Sequence, residues 1–191
     1  MFDKVDSIII PNYHNYWVNP LINKYLPGHM NKSEGTLILR KKGKSVFISH
    51  PFYFKEIKKL FGKKLIVKNY SDGITYEKLL QEYCGKKIGF NGKYNSVNML
   101  KCMKGFFKGK KVKWYDVSSE LDASREIKTT DEIKNISKAC KETKTVLKKV
   151  ISKLKTGMTE LDVESMFNNE FKKDGFDTAF CIVAFGKNSL S

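Results

Sequence analysis

A three-part pattern recurs through the first part of the chain, and it leaves few folds open. A helix-forming stretch reaches a glycine, two lysines follow, and an apolar strand-forming run begins. The instances are Leu60-Phe61-Gly62-Lys63-Lys64 before 65–67, Tyr83-Cys84-Gly85-Lys86-Lys87 before 88–90, and Phe107-Lys108-Gly109-Lys110-Lys111 before 112–117. Helices that alternate with short strands predict an α/β domain of roughly 120 residues. In this reading each glycine supplies the left-handed residue that ends a helix. The lysines sit near the negative end of the helix dipole. That structural role for Gly-Lys-Lys is preferred to three phosphate loops.

Other signals fill in the same domain. Residues 7–10 form a short apolar strand candidate, and 36–39 and 46–49 flank the turn Lys41-Lys42-Gly43-Lys44 as a hairpin. Pro51 suits the first turn of a short helix over 52–61. Gly43-Lys44-Ser45 does not end a phosphate loop. The earlier glycine of that motif would fall at Ile38, and a strand follows where the motif needs a helix.

The domain boundary is expected near 121–124, giving domains 1–122 and 123–191. Arg125-Glu126-Ile127-Lys128 leads into Thr129, whose spacing to Glu132 fits a capping box. Ile133, Ile136, Cys140, Thr143, Leu147, Val150 and Leu154 then recur at intervals of three and four, one helical stripe that Gly157 ends. The stripe is read as packing within its own domain rather than as a coiled coil. Thr159 caps a second helix, with Glu160 and Asp162 in its first turn. Leu161, Val163, Met166, Phe167 and Phe171 are its candidate buried positions, and Gly175 ends it. Residues 179–185 are apolar almost throughout and predict a strand buried on both faces.

Charge is where composition bears on function. The net charge is +16, and 34 of the 36 basic residues are lysine. Residues 1–122 carry 23 basic and 10 acidic side chains, against 13 and 10 in 123–191. Bidentate base reading uses arginine, so a lysine excess argues against sequence-specific nucleic-acid recognition. A solvated basic surface is preferred to an anion-binding face. The four cysteines, Cys84, Cys102, Cys140 and Cys181, are scattered and form no C-x-x-C pair, which predicts reduced thiols in the cytoplasm. No apolar run is long enough to span a membrane, and the N-terminus has no signal-peptide pattern. His14, His29 and His50 lack the clustering a zinc site needs and are read as surface or hydrogen-bonded residues.

The order Arg125-x-x-Lys128, Asp131-Glu132-Ile133, Ala139, Gly157-Met158-Thr159-Glu160 and Ile182-Val183-Ala184-Phe185-Gly186-Lys187-Asn188-Ser189 resembles the start of the catalytic domain in the proline-specific pita-bread metallopeptidases. These are the Xaa-Pro dipeptidases and aminopeptidase P. Ahead of it, Glu34-Gly35-Thr36-Leu37-Ile38-Leu39, Lys87-Ile88-Gly89-Phe90 and Trp114-Tyr115-Asp116-Val117-Ser118 are similar to the N-terminal domain of creatinase and the proline peptidases. Methionine aminopeptidases usually lack that domain.

The resemblance implies a creatinase-type N-terminal α/β domain, with a mixed sheet and flanking helices, followed by an incomplete pita-bread α+β domain. It implies a hydrolase acting on the peptide bond before proline. Two divalent metal ions (Mn, Co or Zn) would be held by two Asp, one His and two Glu. In the family Pro-His follows a strand like 179–185, and the ligands come later, so the chain is expected to be cut short at Ser191 and inactive alone. No catalytic or metal residue is assigned, and Asp162, Asp174 and Asp177 are not substitutes. Phe180 matches the aromatic that lines the pocket for the residue preceding proline. Expected partners are a peptide containing Xaa-Pro and either a second copy or a separate catalytic-half chain, with no membrane and with nucleic acid less favoured. The alternative is a non-enzymatic binding module or a basic, nucleic-acid-binding pseudoenzyme.

Overall fold

The computed structural model describes residues 2–12, 22, 25, 26, 34–71, 73–178 and 180–190. His14 and His29 lie outside the described residues. The chain divides into two compact units, Met1–Ile127 and Lys128–Ser191.

The first unit is built on a six-stranded mixed sheet. Its strands are β1 (Ser7–Asn12), β2 (Gly35–Arg40), β3 (Val46–Ser49), β4 (Ile66–Asn69), β5 (Lys87–Phe90) and β6 (Lys113–Asp116), in the spatial order β4-β3-β2-β1-β5-β6. Strand β2 runs antiparallel to β1 and β3, and the remaining pairs are parallel. The expected hairpin is β2–β3, with Ile38 opposite Val46 and Gly43 in the turn at φ +78°.

The centre of the sheet is apolar on both faces because helices cover both. Ile8, Ile10, Leu37, Leu39 and Phe47 pack with Ile57 and Phe61 of α1 (Phe54–Phe61) and Leu121 of α4 (Ser118–Glu126). The alternate residues Ile9, Ile38, Val46, Ile48 and Ile88 pack with Leu79 and Leu80 of α2 (Tyr76–Tyr83) and Met103 of α3 (Val97–Gly105). Three consecutive isoleucines in β1 can therefore all be buried, each contributing on the order of 1.5–3 kcal/mol. Helix α4 continues through residues 122 and 123, between which the sequence reading divides the chain.

The expected left-handed ends of the Gly-Lys-Lys helices need correction. Gly62 has a right-handed φ of −60° and bonds back to the Lys58 carbonyl at 2.9 Å. Gly85 does not have positive φ; a Cβ there would lie 2.4 Å from the Cβ of Asp6, so this glycine serves close packing. Gly109 is left-handed at φ +79°, but it lies in the turn four residues beyond the end of α3.

In the second unit the capping box expected at Thr129 and the cap expected at Thr159 both form, and the second is also a capping box. Thr129 opens α5 (Thr130–Ile151) with Glu132, and Thr159 opens α6 (Glu160–Lys173) with Asp162. Gly175, at φ +74°, ends α6 as expected. The Phe176 N–H reaches back to the Phe171 carbonyl at 3.0 Å, a Schellman closure.

Of the expected apolar stripe of α5, Val150 is buried as expected, but the stripe as a whole is not the covered face. Val146 and Val150 are fully buried against Val163 of α6, whereas Ile133, Ile136 and Leu147 stand 55%, 52% and 43% exposed. The covered line at 146 and 150 is the stretch of α5 that packs on α6, and it is rotated one residue away from Leu147. Helix α5 ends at Ile151, with Gly157 in the connection beyond. Leu161 is exposed because it belongs to the first turn of α6, away from Val163. Val163 is buried as expected, with Met166, Phe167 and Phe171 partly buried around it. The expected strand at 179–185 is also corrected. Residues 180–185 form no strand, and among the described residues they have no neighbouring strand to pair with.

Candidate functional site

The segment the sequence singles out, 180–190, is fixed to α6 by one carboxylate. Glu160 occupies the first position of α6, where the helix dipole favours a negative charge. Its Oε1 accepts the backbone N–H of Phe185 at 2.7 Å, and its two oxygens accept the Asn188 side-chain amide at 3.0 Å each. The Phe185 N–H, followed by the Asn188 amide, lowers the Glu160 pKa. Within the segment, Asn188 N–H donates to the Phe185 carbonyl at 3.1 Å and the Ser189 hydroxyl donates to the Gly186 carbonyl at 2.7 Å. Gly186 permits this turn with φ +51°.

Phe180 stands 75% exposed and Ile182 82% exposed, while Val183 packs on the small core of the second unit. Two bulky apolar side chains are thus held at the surface beside a fastened turn. An exposed aromatic can take part in binding an apolar group, and it supplies no acid, base or nucleophile.

A second carboxylate secures the helix pair. Glu170 of α6 is 7% exposed and receives Lys153 at 2.9 Å and Lys173 at 2.8 Å, with Lys149 at 4.0 Å. Hydrogen bonds from Lys173 and Lys153 hold its pKa at about 2. Lys149 lies in the last turn of α5 and Lys153 just beyond its end; two lysines four apart are a signal available in the sequence, and it does not name their partner.

Nothing among the described residues assembles catalytic chemistry. No group of three or more His, Cys, Asp and Glu side chains there could hold a metal ion. The described residues therefore do not fit a two-metal centre, and no step is derived through one. His50 caps a short 3-10 turn, its Nδ1 accepting the Phe52 N–H at 3.3 Å. Burial pushes the Cys84 thiol up to about 12, so it is no nucleophile at neutral pH. The four cysteines are free.

In the first unit a cavity of about 520 Å³ lies between Pro11, Tyr70, Tyr76, Met99, Met103 and Phe106. Its lining has no carboxylate, histidine or lysine. In the same unit, Asp116 accepts the backbone N–H of Ser118 at 2.9 Å and of Gly92 at 3.2 Å, tying the loop after β5 to the end of β6. The Ser118 hydroxyl is the main cause of the lowered Asp116 pKa.

These features describe a fastened turn that bears an exposed aromatic at 180–190. Residues 134–191 match the model of metallopeptidase family M24. The fold is that of solved Xaa-Pro peptidases. X-Pro aminopeptidase from Thermotoga maritima superposes over 90% of this chain and 47% of its own, at 18% identity and a TM-score of 0.75. Xaa-Pro dipeptidase from Bacillus anthracis does so over 90% and 45%, at 19% identity and a TM-score of 0.71. Prolidase from Pyrococcus furiosus does so over 90% and 46%, at 18% identity and a TM-score of 0.66. No curated protein matches the sequence significantly. The chain spans about half the length of the solved structures it matches. The chain thus has the fold of these solved peptidases, with a mixed-sheet α/β domain of the kind that precedes their catalytic domain standing ahead of the segment that matches the M24 model.

Proposed function

We propose that this chain supplies the N-terminal, substrate-gating portion of an Xaa-Pro metallopeptidase and is inactive alone. The observation that carries the proposal is the coverage: 90% of this chain corresponds to 47% of an X-Pro aminopeptidase, and the match to family M24 begins at residue 134. In this reading the first domain, 1–122, shapes access for the peptide. The segment 123–191 begins the catalytic domain and presents Phe180 toward the side chain that precedes proline. The exposed position of Phe180 is compatible with that contact.

The two divalent metals, the water they activate and the ligands that hold them then belong to a portion outside these residues, on the same or another polypeptide. A second copy of the chain is the expected partner, and the cytoplasm the expected compartment. Metal binding tests the reading. Titrating the chain with Mn²⁺ and following free ion by electron paramagnetic resonance is expected to show no stoichiometric site. Tight binding of one or two ions per chain would overturn it.

A further inference from the structure

The three Gly-Lys-Lys segments, separate in sequence, meet on one edge of the sheet. Register fixes this. Ser7 lies opposite Arg40 and Ile88, Val46 opposite Ile66, and Lys87 opposite Lys113, so five parallel strands begin side by side. The hairpin turn 41–44, Lys-Lys-Gly-Lys, lies on that same edge. Segments 62–64, 85–87 and 109–111 feed β4, β5 and β6 there. All nine lysines of these four segments are exposed, and among the described residues none forms an ion pair. Asp6, on the same edge, accepts the backbone N–H of Lys87 at 3.0 Å.

Helix dipoles do not account for this charge. Helices α1, α2 and α3 end at this edge, and each brings roughly half a negative charge. Nine cations exceed that several-fold. With strands about 4.8 Å apart, the row extends over roughly 24 Å. At its β5–β6 end a cavity of about 260 Å³ is lined by Gln81, Gly85, Lys86, Lys110 and Lys111, with room for a phosphate group.

We propose that this edge docks the phosphate backbone of nucleic acid without sequence preference. A linear row of lysines suits a chain of regularly spaced phosphates. Arg40 is the only arginine on the edge, so base reading is not built in. A lipid surface would call for apolar anchors beside the charge. Among the described residues, Leu60, 47% exposed at the end of α1, is the large apolar side chain exposed near this edge. The proposal does not depend on the peptidase reading.

Fluorescence anisotropy of the full chain with a duplex DNA and a single-stranded RNA of about 20 nucleotides, between about 50 and 200 mM KCl, tests it. Binding is expected to weaken steeply with salt. The triple variant Lys86→Gln, Lys110→Gln, Lys111→Gln is expected to lose at least about tenfold in affinity and to flatten the log–log salt slope by about 2.7 on the duplex and about 2.1 on the single strand. The control Lys144→Gln, Lys148→Gln, Lys155→Gln removes the same charge from the second unit and is expected to stay within about twofold. Unchanged circular-dichroism melting confirms that both variants fold. Equal losses in the two variants would overturn the proposal. So would no binding by the unaltered chain near 100 mM salt, or displacement of the nucleic acid by vesicles of anionic lipid at matched charge.

Discussion

The carboxylate of Glu160 and the backbone N–H of Phe185 meet at 2.7 Å, across 25 residues of sequence. That contact, shared with Asn188, fastens the segment carrying Phe180 to the first turn of α6. Glu160→Ala is expected to speed hydrogen exchange at the amides of Phe185 and Asn188, with little change in the middle of α6. Mass spectrometry of the exchanged chain checks this. Unchanged protection at 185 and 188 would show that the segment is held by other means.

Glu170 makes the second unit sensitive to acid. Its pKa is lowered from 4.5 to about 2, so the folded state holds the proton less tightly than the unfolded state. The sign follows. Its stabilising contribution is fully present above about 4.5 and is lost as pH falls from there through about 2. Glu170→Gln is expected to remove that component. Exchange protection in α5 and α6, measured between about pH 5 and 2, should then fall less steeply in the variant than in the parent chain.

The buried line of α5 can be tested by paired substitutions. Val150 is fully buried and Leu147 is 43% exposed. Val150→Ala is expected to cost about 2 kcal/mol, and Leu147→Ala less than about 0.5 kcal/mol. Denaturant midpoints for the second unit measure both. A reversed order would show that the line through Val146 and Val150 is not the covered one.

Gly85 and Gly109 share a motif and differ in physics. A Cβ at Gly85 would collide with Asp6, whereas Gly109 has open space around it and a φ of +79°. Gly85→Ala is expected to cost about 1–3 kcal/mol by overpacking. Gly109→Ala is expected to cost about 1 kcal/mol from the left-handed backbone alone. Gly109→Asn, which tolerates that region, should recover part of the second loss and has no such remedy at Gly85.

The same pair shows what was legible. Alternation of helix and strand identified the α/β domain, and Ser7–Asn12 through Lys113–Asp116 appear where apolar runs put them. Capping at Thr129 and Thr159 could be read directly, because it depends on residues three apart. What Gly85 does could not, because its constraint is Asp6, nearly eighty residues away. The edge strand order and the convergence of the lysine segments are likewise products of register. The strand expected at 180–185 failed for a related reason. An apolar run becomes a strand only beside a partner, and none stands next to it among the described residues.

The most direct test of the central claim is hydrolysis. The purified chain, supplied with Mn²⁺ or Co²⁺, is incubated with an Xaa-Pro dipeptide and released proline is measured. The account predicts no release above the metal-only blank. Saturable, chelator-sensitive turnover by residues 1–191 would contradict it, since it would place a working metal centre within this chain.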